Sequence, residues 1–201
     1  MGHRFAEIAF TPRVKAVQEQ QGSRKSYTRF EGGDPVRHRL SAREAKFIAE
    51  RDSFYMATVS ETGWPYIQHR GGPTGFLLVL DEKTLGFADY SGNRQYISVG
   101  NLTGNDRVSL FLMDYANKAR LKILGRVRLV APDDREQMAK LVRPDLEARA
   151  ERGFLIDIEA FDWNCSQHIT ERYTLADVEQ VTAALRNRIA ELEAKLQQGA
   201  P

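Results

Sequence analysis

The sequence predicts a mainly β protein: an antiparallel barrel with helices attached. Three observations point there. Between residues 54 and 161, six or more short apolar or alternating segments follow one another in hairpin order. Few helical patterns separate them, whereas a doubly wound parallel sheet needs a crossover helix between most strands. Finally, Gly125 interrupts the alternation of the segment Arg120–Val130, where a bulge or a bend at a barrel corner is expected. With 201 residues and 42% apolar composition, the chain suffices for one domain with a sizeable core.

The elements follow in order. Residues 1–40 are polar with scattered aromatics. The run after Pro12 suggests a short helix, 22–33 reads as a loop that Tyr27 and Phe30 can tie down, and the whole is expected as an N-terminal arm packed on the body. Ser41 and Glu44 form a capping box ahead of an apolar face of Ala45, Phe47, Ile48 and Ala49. Phe54–Ser60 and Trp64–Arg70 flank the turn Glu61-Thr62-Gly63 as a hairpin. Strands are expected at 75–80, 85–88, 107–113, 120–130 and 154–161, with a short helix over 94–102. Pro132 opens a further helix that Pro144 ends or kinks. The last helix, 175–197, carries Val178, Leu185 and Leu192 every seven residues, with Ile189 and Leu196 beside them. That stripe suits packing on the barrel or on a dimer partner. The expected organisation is an arm (1–40), a barrel (41–172) and a C-terminal helix (173–201).

Bulk properties exclude several classes. Lys plus Arg number 29 against 27 Asp plus Glu, a net charge of +2 that advertises neither nucleic acid nor an anionic membrane. A single cysteine, Cys165, suits a reducing cytosol and cannot build an intrachain disulfide framework. No apolar run approaches bilayer length and no signal-peptide core opens the chain, so a soluble cytoplasmic protein is expected. His3, His38, His69 and His168 lack metal-ligand spacing, and no metal is expected. Cys165 and His168 have no evident third group to make a thiol nucleophile.

Three constellations could carry chemistry. In Gln68-His69-Arg70-Gly71-Gly72, two glycines after a strand let backbone amides approach a ligand, and Arg70 offers a bidentate donor to phosphate. A wide turn with a surface arginine would look the same. Asp89-Tyr90-Ser91-Gly92-Asn93-Arg94-Gln95 lies between a strand and a short helix, where amides and Arg94 can hold an anion. Simple capping of that helix by Ser91 or Asn93 is the alternative. In the stretch 161–172, Trp163 can lie against a planar ring, and Gln167, His168 and Arg172 can reach ring carbonyls or a substrate. An ordered crossover loop with a buried Trp explains the same residues.

Taken together these segments resemble the pyridoxamine 5′-phosphate oxidase-like, FMN-binding split-barrel family. The resemblance covers roughly residues 40–172. It rests on ATVSETGWP (57–65), RGGPTGFLLVLD (70–81), GNRQYIS (92–98), NDRVSLFL (105–112) and LKILGRV (121–127). The stretch FDWNCSQHITER (161–172) resembles a flavin-nucleotide-binding subgroup. The resemblance implies a split barrel, a homodimer and FMN in clefts at the subunit interface. Gln68, His69, Arg70, Gly71 and Gly72 match the segment that runs beside the flavin. Gly92, Asn93, Arg94 and Gln95 match the phosphate-binding turn, with Gln95 where a lysine is common, and Tyr90 just before it is a further candidate for the cofactor. Arg120 falls where the second subunit contributes a polar flavin contact, and Trp163 and Arg172 match a late Trp and Arg near the cofactor. Gln167 and His168 then shape the substrate side, His168 as a candidate proton donor. The C-terminal region has no match to that of the true oxidases, so a vitamin B6 substrate is not implied. The activity implied is FMN-dependent oxidoreduction of a small molecule or a nicotinamide. The alternative is a carrier or sensor holding flavin, deazaflavin or haem.

Overall fold

In chain order the elements are β1 (Gly2–His3), α1 (Arg4–Ala9), α2 (Pro12–Gln20), α3 (Arg24–Tyr27), a 3₁₀ turn (Thr28–Phe30), β2 (Pro35–Val36) and α4 (Ala42–Ala49). Then follow β3 (Ser53–Val59), β4 (Pro65–Gly71), β5 (Leu78–Val79), β6 (Thr84–Tyr90), α5 (Ile97–Gly104), β7 (Arg107–Asp114) and β8 (Ala119–Val130). The last are α6 (Arg135–Leu141), β9 (Ala150–Trp163) and α7 (Leu175–Gln198). This computed structural model describes residues 2–32, 35–143, 149–163 and 166–198. Gly33 of the expected loop, the helix stop at Pro144 and the lone Cys165 lie outside the described residues. The chain divides into two units, residues 1–113 with 120–165, and residues 114–119 with 166–201.

Seven strands of the first unit form one antiparallel sheet in the order β4-β3-β7-β8-β9-β6-β5. Alternation builds it. On β3, Phe54, Met56 and Thr58 point inward and are buried, while Tyr55 and Val59 are exposed, the period-2 pattern of a strand with one face on the core. The hairpin pairs Phe54 with Arg70 and Val59 with Pro65. The register between β8 and β9 shifts at Leu124/Gly125, the glycine the alternation singled out. A Cβ on Gly125 would come within 2.8 Å of the Asp157 carbonyl oxygen, so the close approach of β9 requires glycine there.

Aromatic rings fill the barrel. Phe87 stacks on Phe154 at 4.7 Å, Phe54 stacks on Phe76 at 5.5 Å, and Phe54 meets Phe87 edge to face at 5.5 Å. A second cluster seats α6 through Met138 and Leu141 against Ala88, Val130 and Leu155. At the start of α4 the Ser41/Glu44 capping box is complete, and Glu44 also accepts a hydrogen bond from Trp163 Nε1 at 2.7 Å. The arm joins the same unit: α1 packs on β9, and Arg37 and His3 both approach Asp162, at 2.5 and 3.4 Å.

Several elements differ from the expectation. The strand expected at 75–80 pairs only over Leu78–Val79, because 72–77 is taken up by a turn in which Phe76 N donates to the Pro73 carbonyl. The helix expected from Arg94 begins at Ile97, because Arg94 and Tyr96 adopt left-handed φ of 58° and 52°. The helix expected from Pro132 begins at Arg135, where Asp134 caps it by accepting from Gln137 N.

In the second unit, Asp114 accepts from the backbone and side-chain amides of Asn117, each at 3.0 Å. Lys118 pairs with Glu171 at 2.9 Å, and Arg172 lies 4.9 Å over Tyr115. Thr174 and Asp177 cap α7 reciprocally. None of the described residues of α7 is buried. No described helix is long and apolar enough to cross a membrane.

Candidate functional site

One face of β4, the end of β6, the start of β9 and the head of α5 enclose a cleft of about 270 Å³ within the first unit. Strand alternation supplies its floor: Tyr66, Gln68 and Arg70 share one face of β4, while Pro65, Ile67 and His69 take the other. Across the floor, β6 ends in Asp89 and Tyr90. The β6–β9 register sets Asp89 opposite Arg152, beside Glu151. The turn 91–96 then leads into α5.

The floor is closed by ion pairs. Arg70 donates to Asp89 at 2.5 Å, and the two side chains are only 13% and 12% exposed. The Arg70 guanidinium rests 5.3 Å from the Phe154 ring and 5.7 Å from that of Phe87. Arg152 approaches the other Asp89 oxygen at 3.6 Å and pairs with Glu151 at 3.0 Å. Arg70 Nε and one terminal nitrogen of Arg152 are buried without a hydrogen-bond partner. Ser98 Oγ donates to Gln68 Oε1 at 2.8 Å and fixes that amide.

The mouth is built differently. Arg94 is exposed, on left-handed backbone. Its Nε donates to Tyr96 Oη at 3.0 Å, and this bond and the nearby Glu151 charge push its basicity still higher. Gln95 N donates to Asn93 Oδ1. Among the described residues no side chain caps α5, so neither Ser91 nor Asn93 takes that task. The first amides of the helix therefore remain as donors at the cleft, where the helix dipole also favours an anion. Three arginines (70, 94, 152) against two carboxylates (89, 151) leave the cleft one positive charge in excess.

The cleft brings together Gln68, Arg70, Tyr90, Asn93, Arg94 and Gln95. Tyr90 also accepts at its hydroxyl from Arg143 N at 3.2 Å. The other first-unit residues singled out in the sequence are not among those lining the cleft. His69 points to the opposite face of β4, edge to face with Tyr55. Gly71 and Gly72 serve packing: Gly72 N donates to the Asp52 carbonyl, and a Cβ on Gly72 would sit 2.8 Å from the Phe76 ring. Trp163 lies between α4 neighbours, 4.8 Å from Phe47 and under the Arg43 guanidinium at 4.4 Å. Arg120 is half-buried at the start of β8, its Nε without a partner among the described residues. Gln167, His168 and Arg172 belong to the second unit, and His168 has a left-handed φ of 62°. Sequence reasoning placed Asp89 in the turn constellation without giving it a role, and gave none to Tyr96, Glu151 or Arg152. Only the strand register could have placed the β9 pair there, and nothing in the sequence marks Tyr96 as left-handed.

An antiparallel barrel with a cationic cleft between its strands and one helix head defines the class as a split barrel. Residues 40–160 match the family model described as pyridoxamine 5′-phosphate oxidase, and the chain belongs to that family. Among solved structures, a candidate pyridoxamine 5′-phosphate oxidase of Lactobacillus delbrueckii is similar at TM-score 0.50 and 18% identity, over 63% of this chain and 96% of that one. An FMN-binding protein of Syntrophomonas wolfei is similar at TM-score 0.42 and 12% identity, over 73% and 97%. An F420 reductase is similar at TM-score 0.42 and 21% identity, over 57% and 93%. The first of these likenesses extends to the fold and no further. No curated protein matches the sequence significantly.

Proposed function

We propose that the cleft holds FMN and that the protein is a cytoplasmic, homodimeric FMN-dependent oxidoreductase acting on a small substrate or a nicotinamide. The observation that carries this reading is the mouth of the cleft. In a chain of this family, an uncapped helix head and an exposed arginine line the same cleft, which fits a phosphate monoester. Arg94, the first amides of α5 and the Asn93–Gln95 turn would hold the phosphate. Tyr66 and Gln68 would line the ring. Arg70, already neutralised by Asp89, would support the floor and not bind phosphate directly. When bound, the flavin supplies two-electron chemistry at its N5 position; the protein supplies orientation and electrostatics.

A second copy of the chain is supported by the opposite face of the β3–β4 hairpin. Tyr55, Val59 and Ile67 are exposed there at 40%, 37% and 66%, with no charged residue among their outward neighbours Ala57, Pro65 and His69. In that assembly Arg120 would serve the partner's flavin, and Gln167, His168 and Arg172 would shape the substrate side, whereas Trp163 is engaged by Glu44 and Phe47. His168 would donate a proton. Replacing it with Gln should leave FMN bound and slow turnover, and unchanged turnover removes that role.

The test is an absorption spectrum of the purified protein, release and identification of the chromophore, and anaerobic addition of NADH or NADPH. A flavin spectrum, released FMN and bleaching by a nicotinamide are expected. A Soret band moves the assignment to haem. Bound flavin that no donor reduces favours a carrier or sensor.

A further inference from the structure

The mouth of the cleft contains a network that the cofactor reading alone does not require. Tyr96 Oη accepts from Arg94 Nε at 3.0 Å and donates to Glu151 Oε1 at 3.3 Å. A phenol has one proton to give and lone pairs to receive, so one hydroxyl satisfies both neighbours. Glu151 is itself held, its other oxygen paired with Arg152 at 3.0 Å. Arg152 in turn lies 4.8 Å over the Tyr96 ring. The tyrosine is thus anchored at both ring and hydroxyl, and Arg94 is anchored through it.

The backbone points the same way. Arg94 and Tyr96 are both left-handed without being glycine, at φ 58° and 52°. Such conformations persist where the surroundings over-determine them, and they concentrate at ligand clamps. An exposed arginine normally loses much rotamer freedom when it binds an anion. One already held in place loses less, and binds more tightly for it.

We propose that Tyr96 is a positioning residue: through its hydroxyl it holds Arg94 in the pose that receives the ligand's phosphate. The hydroxyl makes no contact with the ligand in this account. Phenylalanine at 96 would keep the ring against Arg152 and free Arg94. The inference rests on the reading of the cleft as an FMN site.

The experiment is a fluorescence titration with FMN and with riboflavin, which lacks the phosphate, on wild type, Tyr96→Phe, Arg94→Ala and the double variant. Thermal melts confirm that each is folded. Tyr96→Phe is expected to weaken FMN about fivefold, the size of one modest hydrogen bond, and to leave riboflavin unchanged. In the Arg94→Ala background the same change should have no further effect, since the two residues act as one unit. Equal weakening of both flavins, or a Tyr96 effect that adds to that of Arg94, overturns the proposal. If wild type shows no preference for FMN over riboflavin, the phosphate reading of the cleft fails and takes this inference with it.

Discussion

The floor and the mouth of the cleft each present an arginine, and the two are held in opposite ways. Arg70 is seven-eighths buried, faces two phenylalanines and is neutralised by Asp89. Arg94 is exposed, on left-handed backbone, with a neutral hydroxyl as its neighbour. A buried cation must be paired or its desolvation goes uncompensated, so Arg70 is committed to the fold. An exposed cation beside an uncapped helix head has no such commitment and can bind an incoming anion. Residue type alone does not distinguish the two; burial and partner do.

The largest expected effect breaks the floor. Asp89→Ala leaves Arg70 and Arg152 facing each other without their shared carboxylate. It should destabilise the fold by about 3–5 kcal/mol, read as a lower urea midpoint. A loss below about 1 kcal/mol would mean that Arg70 is solvated and that floor and mouth do not differ.

Next is the mouth. Arg94→Ala should leave stability within about 0.5 kcal/mol of wild type. It should cost about 2 kcal/mol of FMN affinity, the scale of a charge-assisted hydrogen bond. A stability loss like that of Asp89→Ala would place Arg94 in the scaffold instead.

Smaller again is Trp163→Phe, which removes the donor to buried Glu44 and should cost about 1.5 kcal/mol, measured by denaturant unfolding. Burial pushes the Glu44 carboxyl up, but hydrogen bonds from the Ser41 side chain, Trp163 and the Ser41 backbone outweigh it and hold it below its usual 4.5. A depressed carboxylate stabilises the fold above its unfolded pKa and loses that contribution as pH falls through the folded value. Wild-type stability should therefore decline below about pH 4.5, and the decline should be shallower in Trp163→Phe. Parallel acid limbs would show that Trp163 does not sustain the Glu44 charge.

Local signals made much of the fold legible. Ser41 and Glu44 announced a cap that closes within one turn, Gly125 announced the register shift, and the Glu61-Thr62-Gly63 turn announced the β3–β4 hairpin. Each depends on residues a few positions apart. The cleft was legible only in part. Arg94, Asn93 and Gln95 stand in one turn and were found together, but Glu151 and Arg152 reach it through the β6–β9 register, which no local pattern encodes. The Arg70–Asp89 pair spans 19 residues and crosses the cleft, so sequence reading took Arg70 for a free phosphate donor. The late start of α5 was hidden because its left-handed residues are Arg and Tyr, types that give no warning.

The most direct test of the account is calorimetric titration of wild type and Arg94→Ala with FMN and riboflavin in parallel. The account predicts that wild type prefers FMN and that Arg94→Ala erases most of that preference while riboflavin binding holds. A preference for FMN that survives Arg94→Ala intact would contradict it and place the phosphate elsewhere.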